Sequence, residues 1–376
     1  MATNVVSITS DLKRKKWMRE GLVQAASKSF WNAYQGNSKD SIVFQSNNAS
    51  AADGHTVVFD FDGNLVGKAI KGKDTAYGKG EQKRKFSDKI TVERYRLVAD
   101  NGDEFDGVDV GDLSTAQHGD SRTKLGDLFV RFKDQMLFDA AQGLVGQAPT
   151  HIIDLGTTFT NAQLLNIENT IKTSQGFTTG GIRRPLDPFR LADGSPIWLF
   201  VIDSAMKNIL LQDSTIATLL QTADVRGNNN RAISHVLGKI GSLLIVEAPN
   251  FFGTTTGAVP GWAFDDSTIE ISGLRQYSTI TPTTSPWTGQ ATFNYASGTV
   301  HSRGLIMGAG ALQIGFGKMP DYKYQASPDF AIKSESAVEF WTQSQKTRLV
   351  AEQTDYTQAK IAGIDYGIIA VDLEVT

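Results

Sequence analysis

The chain of 376 residues contains no cysteine. That excludes disulfides and thiolate metal sites, so packing alone must hold the fold together. The absence also suits a reducing cytoplasm. Histidine is rare, at five residues. His55, His118, His151, His235 and His301 are scattered, and none has a partner at metal-ligand spacing. Proline numbers 10 against 36 glycines, which excludes proline-rich linkers and favours many turns. No apolar run is long enough to cross a bilayer; the longest, Ile197 to Ile202, is a third of the length needed. The opening residues lack an apolar signal-peptide core. The net charge of −3 argues against a dedicated nucleic-acid binder. There is no G-x-S-x-G elbow and no H-E-x-x-H, which points away from an enzyme. No internal repeat of fixed period is visible.

What is present centres on His118 to Gly146. Leu125, Leu128, Phe129, Phe132, Met136, Ala140 and Leu144 recur at spacings of three and four, the mark of one apolar helical face. Asp120 and Ser121 are the expected amino-terminal caps, and Gly143 and Gly146 the expected stop. A helix from Ser121 to Val145 would be roughly 37 Å long, a rod for a whole domain.

A long excursion precedes this rod. Thr56–Asp62 alternates as a strand through Val57, Phe59 and Phe61. Asp88–Asp100 is expected as its return strand, with Ile90, Val92 and Val98 on one side and Arg94 and Arg96 interrupting the pattern. Between them, Gly63–Phe86 is rich in glycine and lysine and cannot bury a core. This describes a two-stranded arm that something outside it, such as a neighbouring copy, should hold. The charges agree. Lys68, Lys71, Lys73, Lys79, Lys83, Arg84 and Lys85 make the tip basic, against Asp74 and Glu81. Asp100, Asp103, Glu104, Asp106, Asp109 and Asp112 follow without one base. A basic tip and an acidic base of the arm favour head-to-tail contact between copies.

Two stretches imitate ligand sites. Gly67–Asp74 matches a phosphate-binding loop until Asp74 replaces the hydroxyl that would hold magnesium, and the loop opens no helix. The acidic run fits no register of a calcium loop, because Gly102 falls on a ligand position. No metal and no cofactor is expected. The bases Lys13, Arg14, Lys15 and Lys16 read as a solvated lead into a short helix, Lys13 to Tyr34, with Trp17, Leu22, Ala25, Ala26 and Phe30 apolar.

After the rod, Thr160–Gln163 is a capping box opening a helix through Leu164, Ile167 and Ile171. Gly176–Gly181 reads as a loop. Ile197–Asp203 and Ile240–Glu247 read as buried strands. Asp203 or Ser204 and then Ser214 are expected to cap helices. Residues 250–300 are rich in loop residues. Gly304–Gly317 is small and apolar; Gly308-Ala-Gly310 fails the dinucleotide pattern at Gln313 and reads as a tightly packed turn. Ile369, Val371, Leu373 and Val375 alternate as a closing strand.

The order of these parts resembles tailed-phage major capsid proteins of the Hong Kong 97-like fold. The carrying residues are the helical arm around Trp17, GHTVVFDF, a long loop, FSDKITVERYR and the rod. Three later segments resemble the major capsid family of Enquatrovirus-type podophages. They are RRPLDPFRLADGSPIWLFVID, HSRGLIMGAGALQIGFG with Arg303, Gly304, Leu305, Gly308, Ala309 and Ala311, and DYTQAKIAGIDYGIIAVDLEVT with Gly363, Asp365 and Gly367. The resemblance implies an α+β fold: an N-terminal arm (1–53), an extended loop (54–99), a peripheral domain with the spine helix (100–184), an axial domain (185–320) and a return to the peripheral domain (321–376). It implies a non-enzymatic shell subunit in hexamers and pentamers that encloses double-stranded DNA without reading its sequence. That subunit would be assembled in the bacterial cytoplasm and found in the virion. Scaffolding, portal and decoration proteins are its expected further partners, and no membrane is. Some family members cross-link a loop lysine to a neighbour's asparagine. Nothing here supplies the buried carboxylate that this needs, so no cross-link is expected. The alternatives are a nanocompartment shell of the same fold and a carbohydrate-binding surface protein using Trp262, Tyr277 and Trp287.

Overall fold

A computed structural model of the chain describes residues 29–38, 40–46, 56–62, 69–80, 85–103, 115–143, 149–174, 177–179, 182–184, 186–190, 194–216, 236–248, 300–326, 333–349 and 364–375. The first described residues form a 3-10 turn at Trp31–Ala33, so the expected helix does not continue to Tyr34. Residues 13–28 of that expectation lie outside the described residues. Two short strands follow, β1 (Gln35–Gly36) and β2 (Val43–Ser46). The arm then begins with β3 (Thr56–Asp62).

The expected return strand is two strands. β4 (Lys85–Thr91) pairs with β3, and β5 (Glu93–Asp103) leaves the arm for another sheet. Val92 is the break. Ile90 and Val92 are buried before it, and Tyr95 and Leu97 after it, so the buried parity flips. That flip is why the alternation looked interrupted at Arg94 and Arg96.

The spine helix α1 runs from Thr115 to Gln142. It begins before Asp120 and Ser121, which are therefore interior residues and not caps. Its end is as expected: Gly143 takes φ +76° and donates to Ala140 O at 3.3 Å. Leu125, Phe129, Phe132, Met136 and Ala140 are buried, while Leu144 lies outside the described residues. The stripe is wider than its period suggests, because Phe132 through Gln142 is buried all round. Gln135 Nε2 donates to Asp139 Oδ1 within the helix at 2.6 Å, but other polar side chains there have partners far away in sequence. Lys133 Nζ donates to Gln35 Oε1 at 3.1 Å, and Asp134 accepts from Ser29 Oγ at 2.6 Å and Phe30 N at 2.7 Å. Burial raises the Asp134 pKa and lowers that of Lys133.

Beyond the helix come β6 (Ile152–Asp154) and α2 (Asn161–Ser174). One bond of the expected capping box is formed: Thr160 N donates to Gln163 Oε1 at 2.9 Å. The expected Gly176–Gly181 loop contains a strand: β7 (Phe177–Thr179) pairs with β8 (Ile182–Arg184) in a hairpin, so that stretch is not all loop. Next are β9 (Phe189–Arg190), β10 (Pro196–Ile202) and α3 (Ser204–Leu211), the last capped by Asp203, which accepts from Met206 N at 2.7 Å. At the following turn Asp213, rather than Ser214, accepts from Thr215 N. The expected strand Ile240–Glu247 is the end of β11 (Val236–Ile240) and all of β12 (Leu243–Glu247), reversing at Gly241 with φ +59°. The chain closes with β13 (Val300–Met307), β14 (Leu312–Ala326), β15 (Lys333–Lys346), β16 (Arg348–Leu349), β17 (Ile364–Asp365) and β18 (Ile368–Val375).

Two sheets make the body. One has the order β1-β2-β14-β15-β5. The other runs β11-β12-β10-β13-β18-β6, with β9 on β10. α1 covers the first sheet, where Phe132 and Phe129 meet Phe340 at ring distances of 5.5 and 4.7 Å. The second sheet is buried on both faces. Leu199, Val201, Leu305 and Ile368 join the core under α1, while Trp198, Phe200, Ile306 and Val371 join a second core with α2 and α3. This double burial produces the continuous apolar run at Ile197–Ile202.

Gly308–Ala311 carries the chain from one sheet to the other. Gly308 N donates to Gly367 O, Ala309 N to Asp187 O and Gly310 N to Ser41 O. A Cβ on Gly308 would sit 2.2 Å from Asp187 O, so only glycine fits there.

Candidate assembly surfaces

The arm has a fixed root and an exposed tip. At the root, Val57 and Phe59 of β3, Ile90 of β4 and Val92 just beyond it pack with Tyr366 and Phe44 in a small core. Phe44 and Phe59 meet edge-on at 5.2 Å. Gly315 of β14 lies beneath, and a Cβ there would be 3.0 Å from Val57 Cγ2. Asp88 accepts from Arg348 N at 3.1 Å, and Gln345 Nε2 donates to Lys89 O at 3.3 Å. Burial pushes the Asp88 pKa up. The ribbon's root is thus held by its own subunit, where its composition suggested support from outside.

The tip contrasts with the root. Every residue from Ala69 to Gly80 is exposed, and none is in a strand or helix. The phosphate-loop imitation therefore lacks its helix. Lys71, Lys73 and Lys79 stand in this stretch. Lys85 opens β4 opposite Asp62. Lys68, Lys83 and Arg84 lie outside the described residues. Of the acidic run, Asp100 and Asp103 are on β5, across from Glu335 and Lys333 of β15. Glu104, Asp106, Asp109 and Asp112 lie outside the described residues, as do Trp262, Tyr277 and Trp287.

Sequence reasoning missed three charged clusters. Arg303 on β13 grips Asp372 on β18 with two bonds, Nε to Oδ1 at 2.6 Å and Nη2 to Oδ2 at 2.8 Å. Its Nη1 donates to Gln142 O at 3.0 Å and so closes the end of α1. An arginine inside an apolar segment was the available signal. Lys346 and Arg348 flank the buried Asp365, at 2.8 and 3.2 Å. Thr150 N also donates to Asp365, at 2.9 Å. Burial holds the Lys346 pKa down, against the pull of Asp365. On the other face of the first sheet, Glu339 meets Arg94 at 2.8 Å and also Lys323. Led by the Lys323 contact, these cations hold its carboxyl down at about 2. All three clusters tie strands together. Among the described residues no group of His, Asp or Glu is placed to hold a metal ion, and no helix is long and apolar enough to cross a membrane.

Residues 5–172 match the sequence model of a family described as phage capsid protein. No curated protein matches. Among solved structures, the capsid of Ralstonia phage GP4 is similar at a TM-score of 0.68 and 16% identity, covering 93% of this chain and 92% of that one. The head of Helicobacter pylori bacteriophage KHP40 gives 0.67 and 14%, covering 93% and 91%. The cyanophage Pam1 capsid gives 0.60 and 11%, covering 93% of each. The fold is the α+β, Hong Kong 97-like fold of phage capsid proteins.

Proposed function

We propose that this chain is a major capsid protein, self-assembling into the icosahedral head shell that encloses phage double-stranded DNA. The observation that carries this reading is the arm. A body with paired buried charges projects a ribbon whose described tip, Ala69 to Gly80, is exposed throughout. In a shell, that tip lies over the next subunit. Lys68, Lys71, Lys73, Lys79, Lys83, Arg84 and Lys85 are its basic contacts. Asp100, Asp103, Glu104, Asp106, Asp109 and Asp112 are the acidic partner surface on the next copy. Repetition of this head-to-tail contact generates hexameric and pentameric capsomers.

The division follows the sequence: arm 1–53, extended loop 54–99, peripheral domain 100–184 with return 321–376, and axial domain 185–320. The segments around Arg303 and Asp365 support placement near the Enquatrovirus-type podophages. The role is structural and not enzymatic. The subunit assembles in the host cytoplasm with separate scaffolding, portal and decoration proteins, and ends in the virion. Deleting Gly67–Gly80 tests the reading by sedimentation velocity and negative-stain microscopy. The expected result is a folded subunit that forms no shells. Normal shells from the deleted chain would contradict the role given to the arm.

A further inference from the structure

We propose that Tyr77 is the anchor of the arm, and that it seats on Val98 and Ala337 of a second copy of this chain. The inference rests on the shell reading and assigns the residues that make its contact.

Tyr77 stands in the tip and is 96% exposed. Its position is built. Ala76 O accepts from Lys79 N at 3.2 Å, and Gly78 takes φ +80°, the pattern of a type II turn with Tyr77 at its second position. The ring is therefore displayed by a defined turn. Tyrosine offers a large rigid face for the loss of only two side-chain torsions, which is why it recurs as an interface anchor. In its own subunit the ring gains nothing from this exposure. Around it the described tip carries three lysines against Asp74 alone. The matching seat must join an apolar face to negative charge.

The body presents that combination on the face of β5 and β15 turned away from α1. Val98 is 56% exposed there, and Ala337 lies directly across the ladder from it. Two residues further on the same face, Asp100 and Glu335 stand side by side, both exposed. These acids lie at one end of the patch; at the other, Lys323 of β14 stands across from Ala337 and is paired with Glu339. Tyr77 over Val98 and Ala337 brings Lys73 and Lys79 toward that acid pair. The seat lies where the acidic run begins.

The absence of cysteine makes the test clean. Full-length Tyr77→Cys/Val98→Cys is oxidised mildly and run on a non-reducing gel. A ladder of covalent oligomers is expected, because a disulfide needs the two Cα atoms within about 7 Å. Each single substitution should give no ladder. In parallel, Tyr77→Ala should raise the concentration needed for assembly at least about tenfold, as expected of a central interface aromatic. Tyr77→Phe should leave it nearly unchanged. Assembled protein without a ladder, or an equal one from Tyr77→Cys alone, would overturn the seat. Tyr77→Ala assembling like the parent, while the Gly67–Gly80 deletion does not, would overturn the anchor and leave the shell reading standing. Tyr77→Ala that assembles normally but retains less DNA would assign the ring to nucleic acid instead.

Discussion

The spine helix and the arm tip treat polar groups in opposite ways. Along the last three turns of α1, side chains are buried on every side, and charges such as Asp134 meet partners about a hundred residues away. In the tip, lysines, a tyrosine and glycines all face outward. The lesson is that residues serving assembly are those the monomer leaves unrewarded. The buried charges of the body hold the fold, and in the proposed shell the exposed charges of the tip meet another copy.

This contrast is testable through subunit stability. The largest effect belongs to Arg303→Ala. It strands the buried Asp372 and the carbonyl of Gln142, and should cost about 3–5 kcal/mol in the denaturant unfolding of the full-length subunit. A cost below 1 kcal/mol would show that the second sheet is not pinned to α1 by this pair. Gly308→Ala comes next. Its added carbon collides with Asp187 O, so a loss of about 1–3 kcal/mol is expected. The comparison is sharpened by Gly72→Ala in the tip. There φ is also positive, but the added carbon meets nothing within 4 Å, so at most about 1 kcal/mol is expected. Equal costs for the two glycines would break the division between body and tip.

The smallest effect is confined to acid. The Glu339 carboxyl is held at about 2 against an ordinary 4.5, chiefly by Lys323. A depressed carboxylate stabilises fully above its unfolded pKa and loses that contribution as pH falls through its folded pKa. Stability should therefore decline between pH 4.5 and 2, and Glu339→Gln should flatten that part of the profile. An unchanged slope in a melting series across this range would remove Glu339 from the account.

Local signals made much of the fold legible. The period of α1, the alternation of β3, the run Ile197–Ile202 and the box at Thr160 each express one element's own burial or capping. The readings that failed depend on distant partners. Val92 flips its strand because β15 recruits β5, which no window around Val92 contains. The arm's root is packed by Tyr366, far along the chain. β18 reads as half-exposed because Asp372 is polar, yet it is buried against Arg303, 69 residues earlier. Of the candidate contact residues, the sequence marked their charge and order. The proposed anchor Tyr77 escaped because a single aromatic carries no period, and only the turn around it shows that it is displayed.

The central claim is that this fold exists to meet copies of itself. The most direct measurement is sedimentation velocity with negative-stain microscopy of the full chain, expressed alone and with its neighbouring open reading frames. Closed shells, or rings of six and five subunits, are predicted. A well-behaved monomer under every condition would contradict the account and leave the exposed basic tip without a purpose.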